Sequence, residues 1–406
     1  MDLLNSFVNN WNSKIFYAHN MNLFDKYVPE NVFKELGVGY LISLGTYLSS
    51  KVNLDTFITI IKNLEKLPYA AIYIDSGGFQ YIKGKLTKKD IDNHIKVYFE
   101  LIDYIDAQYK QQNIAKPIFV FSLDIPACRA NNADDVVDEQ TSISASYNVY
   151  SEIARRFKEH ETQRQFIITV LHFSPSVVYR NWKQIYQIPN LNMSQYVATG
   201  SSWWMHRKPN SIGAYNVLHY CLLRANGFKN IKLYHILGTK SLDRLYPSYD
   251  VLTMYNINIT HDTTPYTYYR PLLVPIYNKT IDRYNVTKLD IRSNKLQLIK
   301  IVDELFGDNI VVKWVESILD KLNDLSNVKH ITKTKNIKVS KMLYVSLLDI
   351  LSTLLINKVI DKIDRSIYTE FKINRDYQFK LLELADQDPE KLEQLLLPYL
   401  DKFIED

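Results

Sequence analysis

The stretch Asp75-Ser76-Gly77-Gly78-Phe79-Gln80 combines a carboxylate, two consecutive glycines and an aromatic ring, and it directly follows the apolar run 69–74. The run predicts a buried strand that ends at the acid. Glycines permit backbone angles closed to other residues and let a ligand approach the main chain, while Phe79 offers a flat apolar face behind Asp75. The combination suits binding of a planar ring. The alternative is structural: Asp75 would cap a helix that follows the strand.

Polar residues recur directly after other apolar runs, namely Asp124, His172, the pair Gly200 and Ser201, and Asp262. Each alone has a structural explanation, such as a turn cap, a buried histidine or a turn glycine. Together the three acids at strand ends indicate a shared site, because a purely structural rim needs no repeated carboxylates that face one cavity.

The elements that would position these residues are eight short apolar runs that alternate with segments of helical spacing. The runs cover residues 14–18, 40–44, 70–74, 117–123, 165–171, 195–198, 232–237 and 256–260. Alternation predicts a parallel sheet in an α/β fold, and eight strands favour a (β/α)8 TIM barrel with its site at the carboxyl ends of the strands. An open doubly wound sheet would alternate too, but it often carries a glycine-rich dinucleotide fingerprint, which the sequence lacks.

Beyond about residue 280, long amphipathic helical patterns replace the strand rhythm. We therefore expect a catalytic barrel over residues 1–280 and a mostly helical region over residues 281–406 that contacts nucleic acid. Segment 329–341 has regularly spaced lysines and no acid, which is typical of a phosphate-binding arm and equally of a solvated linker. The acidic, leucine-rich stretch 381–406 is more typical of a packing helix or a subunit contact than of a DNA-binding element.

Composition narrows the class of protein. The formal net charge of +5 is too small to indicate a nucleic-acid partner by itself. The two isolated cysteines, Cys128 and Cys221, exclude a disulfide framework and a cysteine-rich zinc site, so we expect reduced thiols and no metal. No apolar run approaches the roughly 20 residues that span a bilayer, and the amino terminus lacks a secretory signal. A soluble cytoplasmic protein without a membrane partner or a cofactor is expected.

Asp75 to Gln80 after an apolar strand resembles the signature of tRNA-guanine transglycosylases, barrel enzymes that exchange guanine in a polynucleotide for a 7-deazaguanine. Phe121-Ser122-Leu123-Asp124 is similar to the family strand that ends in a base-recognising Asp. Thr199-Gly200-Ser201 occupies the place of the family's base-binding loop, and Ile236-Leu237-Gly238-Thr239 resembles a glycine-containing strand end. Asp262 falls where the family keeps its nucleophile. The resemblance covers about the first 280 residues and is strongest at the first motif.

Two departures from this family bear on the substrate. The Cys-x-Cys-x-x-Cys motif and the downstream His that hold a structural zinc in the tRNA enzymes are absent, so no zinc subdomain is expected. His-Asp-Thr-Thr-Pro surrounds Asp262 in place of a Phe-Asp-Cys-type sequence, and His172 stands where those enzymes use Gln. The chain is more similar to the divergent DpdA-type proteins of phages and bacterial modification clusters. This likeness implies DNA and a 7-deazaguanine such as preQ0 as partners, with tRNA as the alternative polymer.

The resemblance also implies roles for the acids. Asp262 would attack C1′ of a flipped-out deoxyguanosine, and Asp75 would remove the ring proton of the incoming base. Asp124 would accept hydrogen bonds from the ring N–H and the exocyclic amine that guanine and 7-deazaguanine share. Asp250 is the alternative nucleophile, although it falls in a predicted helix.

Further residues are expected to bind the base or the polymer. Around the base we place Phe79 as the stacking face, Ser76 and Gly77 beside Asp75, Gly200 and Ser201 as sources of backbone amides, and His172, which either recognises the base edge or fills space. Flipping a base requires a grip on the backbone, and the candidates for this contact are Trp203, Arg207, Lys208, Lys333 and Lys335. The alternative is core tryptophans and a solvated turn.

Several functions therefore stay open from the sequence. The first is a DNA-guanine transglycosylase, the second a zinc-less tRNA-guanine transglycosylase, and the third a catalytically silent nucleic-acid-binding barrel. A metal-dependent barrel hydrolase is a fourth, because His172, His235 and His261 also follow or lie within predicted strands.

Overall fold

A computed structural model of the protein describes much of the 406-residue chain. The described residues are 17–18, 28–32, 39–67, 70–127, 136–173, 176–199, 212–237, 252, 255–262, 272–291, 293–307, 310–326, 347–348, 350–352, 354–356, 358–359, 362–364 and 375–401.

The central element is a parallel sheet of eight strands, each of which overlaps one of the eight predicted apolar runs. The strands are β1 (Tyr17–Ala18), β2 (Gly39–Ser43), β3 (Ala71–Asp75), β4 (Ile118–Phe121), β5 (Ile167–Leu171), β6 (Tyr196–Thr199), β7 (Leu233–Ile236) and β8 (Asn258–Asp262). Their hydrogen-bonded order is β1-β8-β7-β6-β5-β4-β3-β2, and every pair is parallel. The prediction of a parallel α/β fold is confirmed.

Helices connect the successive strands from β2 to β7 of this sheet. They are α1 (Leu44–Ser49), α2 (Leu54–Leu64), α3 (Phe79–Ile82), α4 (Ile91–Lys110), α5 (Glu139–Glu159), α6 (Glu161–Arg164), α7 (Ser176–Tyr186) and α8 (Ile212–Ala225), with 3₁₀ turns at Lys88–Asp90 and Leu191–Met193. Asn53 and Asp138 cap the first turns of α2 and α5 by accepting hydrogen bonds from backbone N–H groups. Among the described residues, no helix is long and apolar enough to cross a membrane.

The sheet is strongly curled, because side chains from distant strands meet on its inner face. The rings of Tyr73 on β3 and His235 on β7 have centroids 6.0 Å apart, and those of Phe121 on β4 and His235 are 4.6 Å apart. Strands four positions apart in a flat sheet would be separated by about 19 Å. The strands therefore form at least a half-barrel around an aromatic core.

Closure of the predicted barrel depends on the edge between β1 and β2. These two strands contact each other, but in the described part of the chain no hydrogen-bonded ladder joins them. The fold shown is thus a curled parallel sheet with helices, which is coarser than the predicted (β/α)8 barrel.

An antiparallel hairpin and further helices follow the sheet. The hairpin consists of β9 (Leu272–Asn278) and β10 (Arg283–Leu289), and the later helices are α9 (Lys295–Phe306), α10 (Ile310–Ser326), α11 (Arg375–Gln387) and α12 (Pro389–Asp401). The hairpin spans residue 280, where the sequence predicts a division between two domains. That division stays a prediction.

The last two helices pack against the helices that flank the sheet. The carboxylate of Asp401 accepts hydrogen bonds from the backbone N–H and hydroxyl of Ser176 at the start of α7. Glu393 accepts a hydrogen bond of 2.6 Å from the Tyr179 hydroxyl and pairs with Lys183 at 2.6 Å. The expectation of a packing helix near the carboxyl terminus is confirmed, and its acids attach it to α7.

Two glycines allow the backbone after β2 to touch the backbone after β3. Gly77 has a φ of +95°, and a Cβ at this position would lie 2.3 Å from Cα of Gly45 at the start of α1. No other residue type fits this contact without displacing one of the two chain segments.

Replacing Gly77 by Ala should therefore lower the free energy of unfolding by roughly 2 to 5 kcal/mol, from the left-handed backbone angle and the clash with Gly45 combined. Gly84→Ala is the matched control, since Gly84 also has a positive φ, of +64°, but meets no atom within 4 Å of an added Cβ. It should cost about 1 kcal/mol. Urea denaturation of the two variants measures the difference, and equal losses would contradict the close backbone contact.

Candidate functional site

Three side chains from successive strand ends meet at the carboxyl edge of the sheet. The Ser76 hydroxyl donates a hydrogen bond of 3.3 Å to Oδ1 of Asp124, and Nε2 of His172 lies 3.0 Å from Oδ2 of the same carboxylate. The side chains of Asp124 and His172 are only 16% and 11% exposed. Sequence reasoning named all three residues as base-binding candidates, and the structure brings them together.

The turn that carries Asp124 is held by hydroxyl groups beneath it. Ser122 Oγ accepts a hydrogen bond of 2.8 Å from the Val170 N–H and lies 2.8 Å from the hydroxyl of Tyr150, which in turn donates to the Val170 carbonyl. The N–H of Ile125 donates to Ser146 of α5 at 3.3 Å. All of these groups are buried, so the polar turn keeps its shape inside an apolar surrounding.

A buried chain of rings supports His172. Its imidazole meets Trp182 of α7 edge-on at 4.4 Å, and its backbone carbonyl accepts a hydrogen bond of 3.2 Å from the Tyr186 hydroxyl. That hydroxyl lies 2.8 Å from Nε2 of His219, whose Nδ1 lies 2.6 Å from the Tyr234 hydroxyl. Burial holds the pKa of His219 well below its usual range, so this histidine is neutral and relays hydrogen bonds in one direction.

Ser76 is held from the opposite side by His94 of α4. Nε2 of His94 donates a hydrogen bond of 2.8 Å to the Ser76 carbonyl, and its Nδ1 lies 3.1 Å from the hydroxyl of Tyr81. Burial lowers the pKa of His94 to about 4. The imidazole is therefore neutral at pH 7, with Nδ1 free of a proton to accept from Tyr81.

Gly77 and Gly78 face the protein itself. A Cβ on Gly78 would lie 2.6 Å from the backbone oxygen of Asp124 and 2.8 Å from its Oδ1, just as one on Gly77 would meet Gly45. The sequence predicts that a ligand comes close to the main chain at these glycines, and this stays a prediction. Their position allows the β3 turn to pack against α1 and against the turn that carries Asp124.

The two predicted catalytic acids both end strands. Asp75 is the last residue of β3, half-buried and in register with Ser43 of β2. Asp262 is the last residue of β8, in register with Ala18 of β1, and its backbone but not its side chain belongs to the described part. Both therefore lie at the carboxyl edge that holds Asp124.

Phe79 is exposed at the protein surface, and a ring that stacks on a base has to be exposed. Its side chain lies on the single turn of α3 and is 51% exposed, with Nζ of Lys83 4.5 Å from the ring centroid.

The remaining predicted residues cannot be placed. The candidates Gly200, Ser201, Trp203, Arg207, Lys208, Asp250, Lys333 and Lys335 lie outside the described residues.

Sequence reasoning missed two supporting groups. His94 lies on the inner face of α4, where Ile91 and Tyr98 are also buried, so its spacing indicates only a core position. A histidine among apolar residues at helical spacing was the available signal. Gly45 directly follows the apolar run 40–44, and nothing local marks it as a partner of Gly77.

The metal-dependent hydrolase hypothesis depends on three histidines. His172 and His235 have polar partners, and the side chain of His261 lies outside the described part of the chain. In the described ranges, no group of three or more His, Cys, Asp or Glu residues could hold a metal ion. Nε2 of His172 faces Asp124, and Nδ1 of the buried His235 lies 2.6 Å from the hydroxyl of Thr260.

Comparison with known proteins gives no family. No protein-family model matches the chain, and no curated protein sequence is similar to it.

His94 makes the stability of the site depend on pH. Unfolding returns its pKa from about 4 to the ordinary 6.5, so the unfolded chain takes up a proton between these values and stability is lost as the pH falls from 6.5 to about 4. The loss is at most about 1.4 kcal/mol per pH unit. In His94→Gln the fall in unfolding free energy from pH 7 to pH 5 should be smaller by about 2 kcal/mol.

Urea denaturation at the two pH values measures this difference. Gln108→Ala, at a half-buried residue of α4 whose side chain has no ionisable group, is the control and should keep the pH dependence of the unchanged protein. An unchanged dependence in His94→Gln would show that His94 is not held neutral.

Proposed function

We propose that this protein is a DNA-guanine transglycosylase that exchanges guanine in DNA for a 7-deazaguanine base of the preQ0 type. The observation that carries the proposal is the assembly of Ser76, Asp124 and His172 at the same sheet edge where Asp75 and Asp262 end their strands. A base-exchange reaction needs a carboxylate at the sugar carbon, a second group for the proton of the base, and an acceptor for the base edge. The edge offers a candidate for each.

The proposal includes closure of the curled sheet into a (β/α)8 barrel. The strand order is that of such a barrel, β1 and β2 are in contact, and rings from opposite strands fill the interior. Strand alternation predicts that Asp75 shares the inner face with Tyr73, and Asp262 ends β8 two residues after Thr260, whose hydroxyl contacts the inward His235. Both acids would then face one mouth, where barrel enzymes keep their sites.

The reaction takes two displacements at C1′. A carboxylate oxygen of Asp262 forms a bond to C1′ of a flipped deoxyguanosine while the bond from C1′ to N9 breaks, and the departing guanine receives a proton from Asp75. The covalent deoxyribosyl enzyme then meets the new base. Asp75 takes the proton from its ring nitrogen, which attacks C1′ and releases Asp262. Atoms and protons balance without a cofactor.

Recognition of the base is assigned to Asp124. Guanine and 7-deazaguanine present a ring N–H beside an exocyclic amine, and a carboxylate can accept from both. Ser76 and His172 each bond one carboxylate oxygen and leave a lone pair on each for the base. His172 thus serves chiefly to orient Asp124, and the exposed ring of Phe79 supplies the stacking face.

The test is incorporation of a radiolabelled 7-deazaguanine into plasmid DNA and, separately, into tRNA. Label should enter DNA, and Asp262→Ala should reduce the rate by about a thousandfold or more, while Asp75→Asn should reduce it by roughly 10²- to 10⁴-fold. Asp92→Asn, at a surface acid of α4, is the control and should keep full activity. Label in tRNA alone would identify a tRNA enzyme, and label in neither polymer would rule out the proposed activity.

Base binding can be tested apart from catalysis. Asp124→Asn replaces an acceptor by a donor, so affinity for the free base should fall by about 100-fold, whereas Ser76→Ala should cost less than about tenfold. Isothermal titration calorimetry with preQ0 measures both. Equal affinity of Asp124→Asn and the unchanged protein would contradict the assignment of Asp124.

A further inference from the structure

A groove lies between the β9–β10 hairpin and α9, outside the sheet that carries the site. One wall is the hairpin, with Tyr277 and Arg283 near its turn, and the opposite wall is α9, with Lys300. Segment 362–364 lies beside β10, because Ile363 bridges Tyr284 and the Asp364 N–H donates to the Tyr284 carbonyl at 2.8 Å. This pairing places Lys362 in the groove.

Cations outnumber acids along the groove. Lys279, Arg283, Lys300 and Lys362 line it and are all exposed, against two carboxylates, Asp282 and Glu304. Both carboxylates already have partners. Asp282 accepts a hydrogen bond from the Tyr277 hydroxyl, and Glu304 lies 3.8 Å from Nζ of Lys300 one helical turn away. An exposed ion pair of this kind is weak and easily exchanged for another anion.

The groove also holds an exposed aromatic surface. Tyr277 is 45% exposed, and its ring packs at 5.2 Å against Tyr284, which fixes its orientation. Ile276 and Ile281 are exposed beside it. Cations and an exposed aromatic ring in one groove are the combination by which proteins bind a single nucleic-acid strand, since phosphates meet the cations and unpaired bases meet the ring.

We propose that this groove, defined by Tyr277, Lys279, Arg283, Lys300 and Lys362, binds a single-stranded stretch of nucleic acid. The inference rests on the proposed function for the identity of the polymer, which would be the strand whose base is exchanged. Charge complementarity argues for a polyanion, and the exposed tyrosine argues for one with unstacked bases. The groove would hold the strand at a distance from the reacting base.

Binding of a fluorescein-labelled single-stranded oligonucleotide to the full chain tests the proposal by anisotropy. Lys300→Glu/Lys362→Glu should weaken binding by at least about tenfold and reduce the slope of log affinity against log salt by about 1.4, from two lost phosphate contacts. Lys158→Glu/Lys321→Glu makes the same charge change at exposed lysines outside the groove. It should bind nearly as the unchanged protein does.

Substitution of Tyr277 distinguishes binding of a nucleic-acid strand, whose bases stack on the ring, from binding of any anion. Tyr277→Ala should cost about tenfold in affinity, and Tyr277→Phe should restore it because the ring is kept. Circular dichroism and thermal unfolding check that each variant is folded.

Three results would overturn the proposal. They are equal binding by the two double variants, no effect of Tyr277→Ala, or tighter binding of poly-L-glutamate than of the oligonucleotide at the same salt, which would indicate an acidic protein partner. If the oligonucleotide binds in the groove but no base exchange is detected, the groove proposal is supported and the proposed transglycosylase function is ruled out. The two failures are therefore distinguishable.

Discussion

The contact on which the site depends is the pair of hydrogen bonds to the Asp124 carboxylate. Ser76 comes from the end of β3, Asp124 from the end of β4 and His172 from the end of β5, so one carboxylate ties three successive strand ends together. The geometry leaves no room for a side chain at Gly78, because a Cβ there would lie 2.8 Å from Oδ1 of Asp124. The glycines of the first motif are thus required by the packing of the site itself.

Residues that are distant in the sequence help to hold the Asp124 carboxylate in place. His172 rests on Trp182 and Tyr186 of α7, and the first turn of α7 is capped by Asp401 of the last helix. The last helix, α12, therefore stabilises the helix that orients His172, even though the bonded residues Ser176 and Asp401 lie more than 200 positions apart in sequence. His94 and His219, both neutral through burial, complete the support by directional hydrogen bonds without adding charge next to the acid.

The sequence was sufficient for the eight parallel strands, because each is a short apolar run bounded by helical spacing. Polar residues at strand ends also indicate that Ser76, Asp124 and His172 lie close together, since parallel strands place their carboxyl ends at one edge, and the structure brings the three side chains into contact. Contacts between backbone segments that are distant in sequence could not be predicted from the sequence. Nothing near Gly45 indicates that it touches Gly77, because that contact is set by the register of β2 against β3.

The hairpin β9–β10 was missed for a related reason. Pro275 interrupts the apolar pattern of β9, and β10 buries little besides Leu289, so neither strand gives a strong periodic signal alone. Only the pairing of the two strands over α9 creates the groove with Tyr277 and its cations. A cationic surface assembled from three separate segments has no local sequence signature.

The central claim is that a carboxylate of β8 attacks the sugar while the groups on β3 to β5 hold the base. Peptide mass spectrometry of the denatured protein, after incubation with DNA and no acceptor base, tests it most directly. The account predicts a deoxyribosyl ester, linked to DNA, on Asp262. An adduct on Asp250 or any other residue, or base exchange without an adduct, would contradict it.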